Sequence, residues 1–227
     1  MRVSYLGPRG TFNEDALRES VGDADVEGLP TPSVYDAIVA VDRGDADRAL
    51  VPFENSIEGS VRTTLDALAL DVEGVTIVGE HDFRVRHCLI AREEMPLDRI
   101  TAVLSHPQPL AQCARFIREQ LPAAEAMPAA STADAVQRVR ESAEAWAALG
   151  ARGAAELYGC VVLRDGVEDS EENVTRFVWI APQGTEPSGE GPWKTSLVFS
   201  ELGEDHPGAL VEALLEFSRR EINLTRI

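Results

Sequence analysis

Arg48-Ala49-Leu50-Val51-Pro52-Phe53-Glu54-Asn55-Ser56-Ile57-Glu58-Gly59-Ser60-Val61 begins as a short apolar strand, turns into a polar loop, and is followed by a helix-patterned stretch from Thr63 to Leu70. A strand buried on both faces reads as a continuous apolar run, as Arg48 to Pro52 does after its first residue. The same order occurs on either side of it. Arg2 to Leu6 runs into Gly7-Pro8-Arg9-Gly10-Thr11-Phe12-Asn13-Glu14-Asp15-Ala16, and Ile100 to Leu104 into Ser105-His106-Pro107-Gln108-Pro109-Leu110-Ala111-Gln112-Cys113. Three strand, polar loop and helix units predict an α/β fold with open sheets, in which ligands gather outside the carboxyl ends of the strands.

Each loop carries groups that suit such a place. Gly7-Pro8 and Gly10 make a tight turn, Thr11 or Asn13 can cap the next helix, and Glu14 and Asp15 suit its positive start, where free N–H groups bind anions. Asn55 offers donors and an acceptor, and Ser56 caps the helix after it. Glu54 is either a structural carboxylate or a general acid. Ser105 and Gln108 stand at a helix start led by Pro109, while His106 reads as a base or as a residue that shapes the loop.

Outward from these units, Ser33 to Val41 is a capped helix stopped at Gly44, and Val75–Glu80 and Arg84–Ala91 read as paired strands. Ala129 to Ala148 is expected as one helix by alanine content, Ala154 to Tyr158 as a helical turn, and Cys160 to Leu163 as a strand. Asn173-Val174-Thr175-Arg176-Phe177 then sets a hydroxyl, a guanidinium and a ring side by side. In a strand Thr175 and Phe177 share a face and Arg176 points away; in a turn all three reach one pocket. Pro182 to Pro192 is a linker by composition, followed by a strand at Thr195–Ser200, an amphipathic helix at Gly208–Arg219 and the start of a strand at Ile222–Ile227.

The 227 residues are 44% hydrophobic, enough for one sizeable core or two modest domains. No apolar run approaches a membrane span, and Met1 to Leu6 reads as a strand rather than a signal peptide, so a cytoplasmic protein is expected. Cys88, Cys113 and Cys160 are too far apart for a zinc motif or a disulfide framework, and His87 beside Cys88 lacks a second ligand cluster. The net charge of −18 repels phosphate backbones and excludes nucleic acid as a partner class. With Lys194 the single lysine, this acidic surface is the kind expected in a salt-rich, halophilic cytoplasm.

Five separated segments together resemble the prephenate dehydratase family: Gly7 to Phe12 with Glu14 and Ala16, Pro52 with Glu54 to Val61, Ser105 to Gln108 with Leu110, Gln112 and Cys113, Ala154 to Gly159, and Asn173 to Phe177. Lys194 to Ile227 is similar to the first half of an ACT regulatory domain, with Gly208-Ala209-Leu210 at its GAL motif. Asn13 stands where the family often has serine. The family continues beyond Arg226-Ile227, so residues 194–227 are expected to be weakly ordered or to lean on a partner.

The resemblance implies a two-lobed α/β catalytic domain of the type II periplasmic-binding-protein kind over residues 1–181. One lobe would hold residues 1–77 and 163–181 and the other 78–162, followed by a linker at 182–193 and a partial α+β, ferredoxin-like ACT domain at 194–227. It implies a lyase that converts prephenate to phenylpyruvate, water and carbon dioxide in phenylalanine biosynthesis, with no cofactor and no metal. Thr175, Arg176 and Phe177 would be catalytic: Thr175 as donor to the departing hydroxyl, Arg176 as counter-ion to a carboxylate or as a brace paired with an acid, and Phe177 against the ring. Thr11, Asn55, Ser56, Ser105 and Gln108 would bind substrate, and Glu54, Gly10 and His106 would support them. A phenylalanine effector and a homo-oligomer, dimeric or tetrameric, are also implied. The rivals are an arogenate dehydratase and a non-catalytic two-lobed module that binds small anions.

Overall fold

The computed structural model describes residues 1–187, 191–199 and 206–225. The chain divides into two compact units, Met1–Ser188 and Gly189–Ile227.

In the first unit, β1 (Arg2–Leu6), α1 (Phe12–Val21), β2 (Glu27–Thr31), α2 (Val34–Asp42) and β3 (Arg48–Asn55) wind in order. The short β4 (Gly59–Ser60) follows, then α3 (Arg62–Asp66), which relaxes into a wider π turn at Ala67–Asp71, and β5 (Val75–Arg84). A second group follows: β6 (Cys88–Ala91), β7 (Ala102–Ser105), α4 (Pro107–Gln112), α5 (Ala114–Gln120), β8 (Glu125–Pro128), α6 (Thr132–Glu141), β9 (Trp146–Gly150), α7 (Arg152–Tyr158) and β10 (Val161–Asp165). The chain then returns to the first group with β11 (Val174–Pro182).

Two mixed sheets result, the first ordered β2-β1-β3-β11-β5 with β4 on β3, the second β10-β6-β9-β7-β8. Period-2 alternation loads both faces of each. In β3, Ala49 and Val51 join the cluster under α2, while Leu50 faces Tyr5, Leu17 and Phe177 on the other side. In β6, Cys88 and Ile90 pack beside α6, while Leu89 and Ala91 face Leu121 and Leu163. The α/β class with two sheets is therefore the expected one.

Several boundaries differ from expectation. Arg84 to Ala91 is not a strand paired with Val75–Glu80, because β5 runs on to Arg84 against β11 and β6 lies in the other sheet. Ala129 to Ala148 is not one helix: α6 ends at Glu141, and the alanines of Trp146–Gly150 form a strand between β6 and β7. The helix after Pro107 is broken at Cys113, whose φ of −116° and ψ of 18° leave the helical region. The strands β2 and β8 were not expected at all.

Two crossovers link the sheets, residues 85–87 and residues 166–173, and they run side by side. The Val85 N–H donates to the Asn173 carbonyl (2.9 Å) and the Val167 N–H to the His87 carbonyl (3.0 Å). The Glu168 carboxylate accepts from the His87 N–H at 2.9 Å.

In the second unit, α8 (Ala209–Arg219) occupies the expected helix. Thr195–Phe199 and Ile222–Thr225 are not strands. A strand needs a ladder neighbour, and the described residues there supply none. Ser200, Arg226 and Ile227, the remainder of those two expected strands, lie outside the described residues.

Candidate active site

A cleft of about 830 Å³ opens beside the two crossovers and is lined from both sheets. Its floor is the junction of β3 and β11, where Asn55 and Thr175 are ladder partners. Asn55 Oδ1 accepts from the backbone N–H groups of Ile57 (2.9 Å) and Glu58 (3.0 Å), so its amide nitrogen faces the other way. That nitrogen donates to Thr175 Oγ1 at 2.9 Å and to Asn173 Oδ1 at 2.8 Å. Thr175 is thus an acceptor within the floor, and among the described residues its hydroxyl hydrogen has no protein acceptor. Phe177, on the same face of β11, completes the floor and meets Phe83 edge to face at 6.3 Å.

Thr11 lines the cleft at the start of α1, although its hydroxyl donates to the Pro8 carbonyl (3.1 Å) instead of capping the helix. Gly10 beside it has φ +78° and gives its N–H to Glu14 Oε2 at 2.6 Å. A side chain at that position would press on Ala154 and Leu157 of α7 at 3.2–3.3 Å. Gln108 and His106 line the opposite wall. His106 Nδ1 accepts from the Gln108 N–H at 3.4 Å, a helix-cap contact that favours the loop-shaping reading over the base.

Besides Gly10, which backs Thr11 without lining the cleft, Ser105, Ser56, Arg176 and Glu54 do not reach it. Ser105 is fully buried and donates to the Leu149 carbonyl at 2.7 Å, tying β7 to β9. Ser56 donates to the Glu172 carbonyl (2.5 Å) and accepts from the Val174 N–H (3.0 Å), which pins the start of β11. Arg176 points to the far face of β11, as strand alternation requires. Its Nε donates to Glu80 Oε2 at 2.7 Å, its Nη1 lies 3.9 Å from Glu54, and its guanidinium sits 5.2 Å from the centre of the Phe53 ring. That geometry corrects the counter-ion reading: Arg176 is held as a brace. Glu54 lies on that same far side.

Other cleft residues escaped sequence reasoning. Gln112, Asn173 and His87 stood within quoted stretches, but their side chains carried no marker of role. His87 is buried against the Phe12 ring at 5.0 Å, and burial holds its pKa below the ordinary value despite the Gln112 hydrogen bond. Glu58 and Asp134 also line the cleft, with no lysine or arginine among its lining residues. An anion there meets the N–H groups at the starts of α1 and α6, Asn and Gln amides, and His106.

A mixed α/β unit with two sheets and a cleft beside paired crossovers defines a two-lobed class of α/β proteins. Comparison with known proteins resolves the family. The prephenate dehydratase family model matches residues 3–185, and the chain belongs to that family. The prephenate dehydratase of Methanocaldococcus jannaschii is 40% identical, over 99% of this chain and 80% of its own length. Arogenate dehydratase 2 of Petunia hybrida is 36% identical, over 100% of this chain and 56% of its own length. The crystal structure of prephenate dehydratase from Arthrobacter aurescens in complex with L-Phe superposes with a TM-score of 0.87 at 36% identity, covering 100% of this chain and 75% of that one. Against several curated relatives the chain spans only 56–60% of their length. No helix among the described residues is long and apolar enough to cross a membrane.

Proposed function

We propose that this chain converts prephenate to phenylpyruvate, with the reaction at the β3–β11 floor of the cleft. The observation that carries the reading is Thr175, whose oxygen accepts from Asn55 and whose hydrogen is left for a ligand. Prephenate carries a ring carboxylate and a ring hydroxyl. As the bond to the carboxylate carbon breaks, its electron pair enters the ring, carbon dioxide leaves, and the C–O bond opposite breaks to complete aromaticity. Thr175 donates to the departing oxygen, which leaves as hydroxide and takes a proton from solvent. The apolar wall of Phe177, Phe12 and Val85 favours loss of charge from the carboxylate. The start of α1 at Thr11, together with Gln108, holds the side-chain carboxylate. Arg176 and Ser56 act on the strands that present Thr175, and Ser105 ties β7 to β9 in the other sheet. Incubation with prephenate should raise phenylpyruvate absorbance in proportion to enzyme; binding without product would leave a small-anion module.

A second substrate has support of its own. Glu58 and Asp134 in a cleft lined by no lysine or arginine suit the ammonium group of arogenate, and an arogenate dehydratase is among the relatives. The ratio of kcat/KM for the two substrates decides between them.

Residues 194–227 are proposed as part of an ACT regulatory domain, after the catalytic domain at 1–181 and the linker at 182–193. Phenylalanine is the proposed effector, supported by the relative solved with L-Phe. A homo-oligomer in a salt-rich cytoplasm completes the proposal. The charge of −18 supports the salt requirement, which would be refuted by equal stability in dilute buffer and molar salt.

A further inference from the structure

Beyond Thr175, the hydrogen bonds continue across the cleft, and each direction along the chain is dictated by two backbone N–H groups. Ile57 and Glu58 donate to Asn55 Oδ1, so Asn55 Nδ2 must point at Thr175 Oγ1 and Asn173 Oδ1. Asn173 then presents Nδ2 to Gln112 Oε1 at 3.1 Å. Gln112 Oε1 also meets His87 Nε2 at 2.9 Å, and its Nε2 lies 3.4 Å from Glu58 Oε1. An amide oxygen only accepts, so His87 carries its proton on Nε2. His87 Nδ1 is left a bare acceptor, buried and without a partner among the described residues.

We propose that Asn173 is a positioning residue that sets the direction of the Thr175 hydroxyl through a polarity-locked relay running from His87 and Gln112 to Asn55. This inference rests on the dehydratase reading and deepens it. Asn55 and Thr175 sit in the first sheet, whereas Gln112 ends α4 beside the second, so Asn173 is the amide through which a group anchored by one sheet orients the donor held by the other. With the relay intact, the Asn55 amide cannot rotate to offer its oxygen to Thr175. The threonine hydrogen therefore stays aimed at the departing hydroxyl. With the relay broken, the amide loses one of its fixed partners and the threonine hydroxyl gains other rotamers, most of them unproductive.

Asn173→Asp tests the polarity without changing shape. The new carboxylate still accepts from Asn55, but its second oxygen faces Gln112 Oε1, an acceptor against an acceptor. Gln112 must turn its nitrogen toward it, and His87 Nε2 then meets a donor and has to give up its proton to Nδ1. The ¹⁵N spectrum of the His87 ring in the full chain should therefore show an Nε2–H tautomer in the parent and an Nδ1–H tautomer in Asn173→Asp. In Asn173→Ala, which takes this partner away from the Asn55 amide, prephenate kcat should fall by about 30-fold or more, with KM within about threefold, because the relay orients a donor rather than binding the substrate. An unchanged tautomer in Asn173→Asp, or a kcat in Asn173→Ala within twofold of the parent, overturns the proposal. A parent that turns over no prephenate refutes the dehydratase reading instead, and the tautomer comparison then decides the relay by itself.

Discussion

Thr175 and Arg176 are neighbours in sequence but stand on opposite faces of β11, and this alternation separates the two roles. Thr175 meets the cleft, whereas Arg176 is enclosed by Glu80, Glu54 and Phe53. Arg176→Lys should therefore leave KM for prephenate within about twofold and lower unfolding stability by about 1 kcal/mol, as one ammonium replaces a planar fork stacked on a ring. A KM raised tenfold, without loss of stability, would return Arg176 to the substrate. The donor, ring and amide types of the cleft were legible in the sequence, because loops after strands carried them. Side-chain partners were not. Ser56 and Ser105 read as ligand groups by their place at helix starts, yet each bonds a nearby backbone group, a competition that sequence spacing does not reveal.

At the scale of elements, β7 and β9 are the strands on which Ser105 acts. Ser105→Ala should cost about 1 kcal/mol in urea unfolding, by removing the buried bond to the Leu149 carbonyl, and should leave kcat/KM within about threefold. A stable but inactive variant would place Ser105 on substrate after all. The central strand β9, Trp146–Gly150, was read as helix because three of its five residues are Ala or Leu, good helix formers. Burial between β6 and β7 overrides that preference. The strands β2 and β8 carry proline and glutamate and few β-branched residues, so only pairing with β1 and β7 makes them strands. By contrast, β1, β3 and α2 had clear apolar patterns and lie within a residue or a few of their expected bounds.

For the whole molecule, the paired crossovers set the cleft beside a buried histidine, and this links pH to stability. Burial holds His87 below its ordinary 6.5, so below pH 6.5 the unfolded chain binds a proton that the folded chain refuses. His87 therefore contributes no penalty above pH 6.5, and stability falls as pH drops from there toward the depressed folded value. Urea midpoints measured at pH 7.5 and 5.5 should differ, and by less in His87→Gln. An equal pH response in that variant would assign the effect to other groups. The crossovers and the floor of the cleft converge on one oxygen on β11, and the role proposed for the Thr175 hydroxyl is to donate to the departing group. Its most direct test is prephenate turnover by Thr175→Ala beside binding of prephenate by calorimetry. We expect kcat to fall by about 100-fold or more while Kd changes by less than about threefold. An unchanged kcat, or a loss wholly in binding, would contradict it.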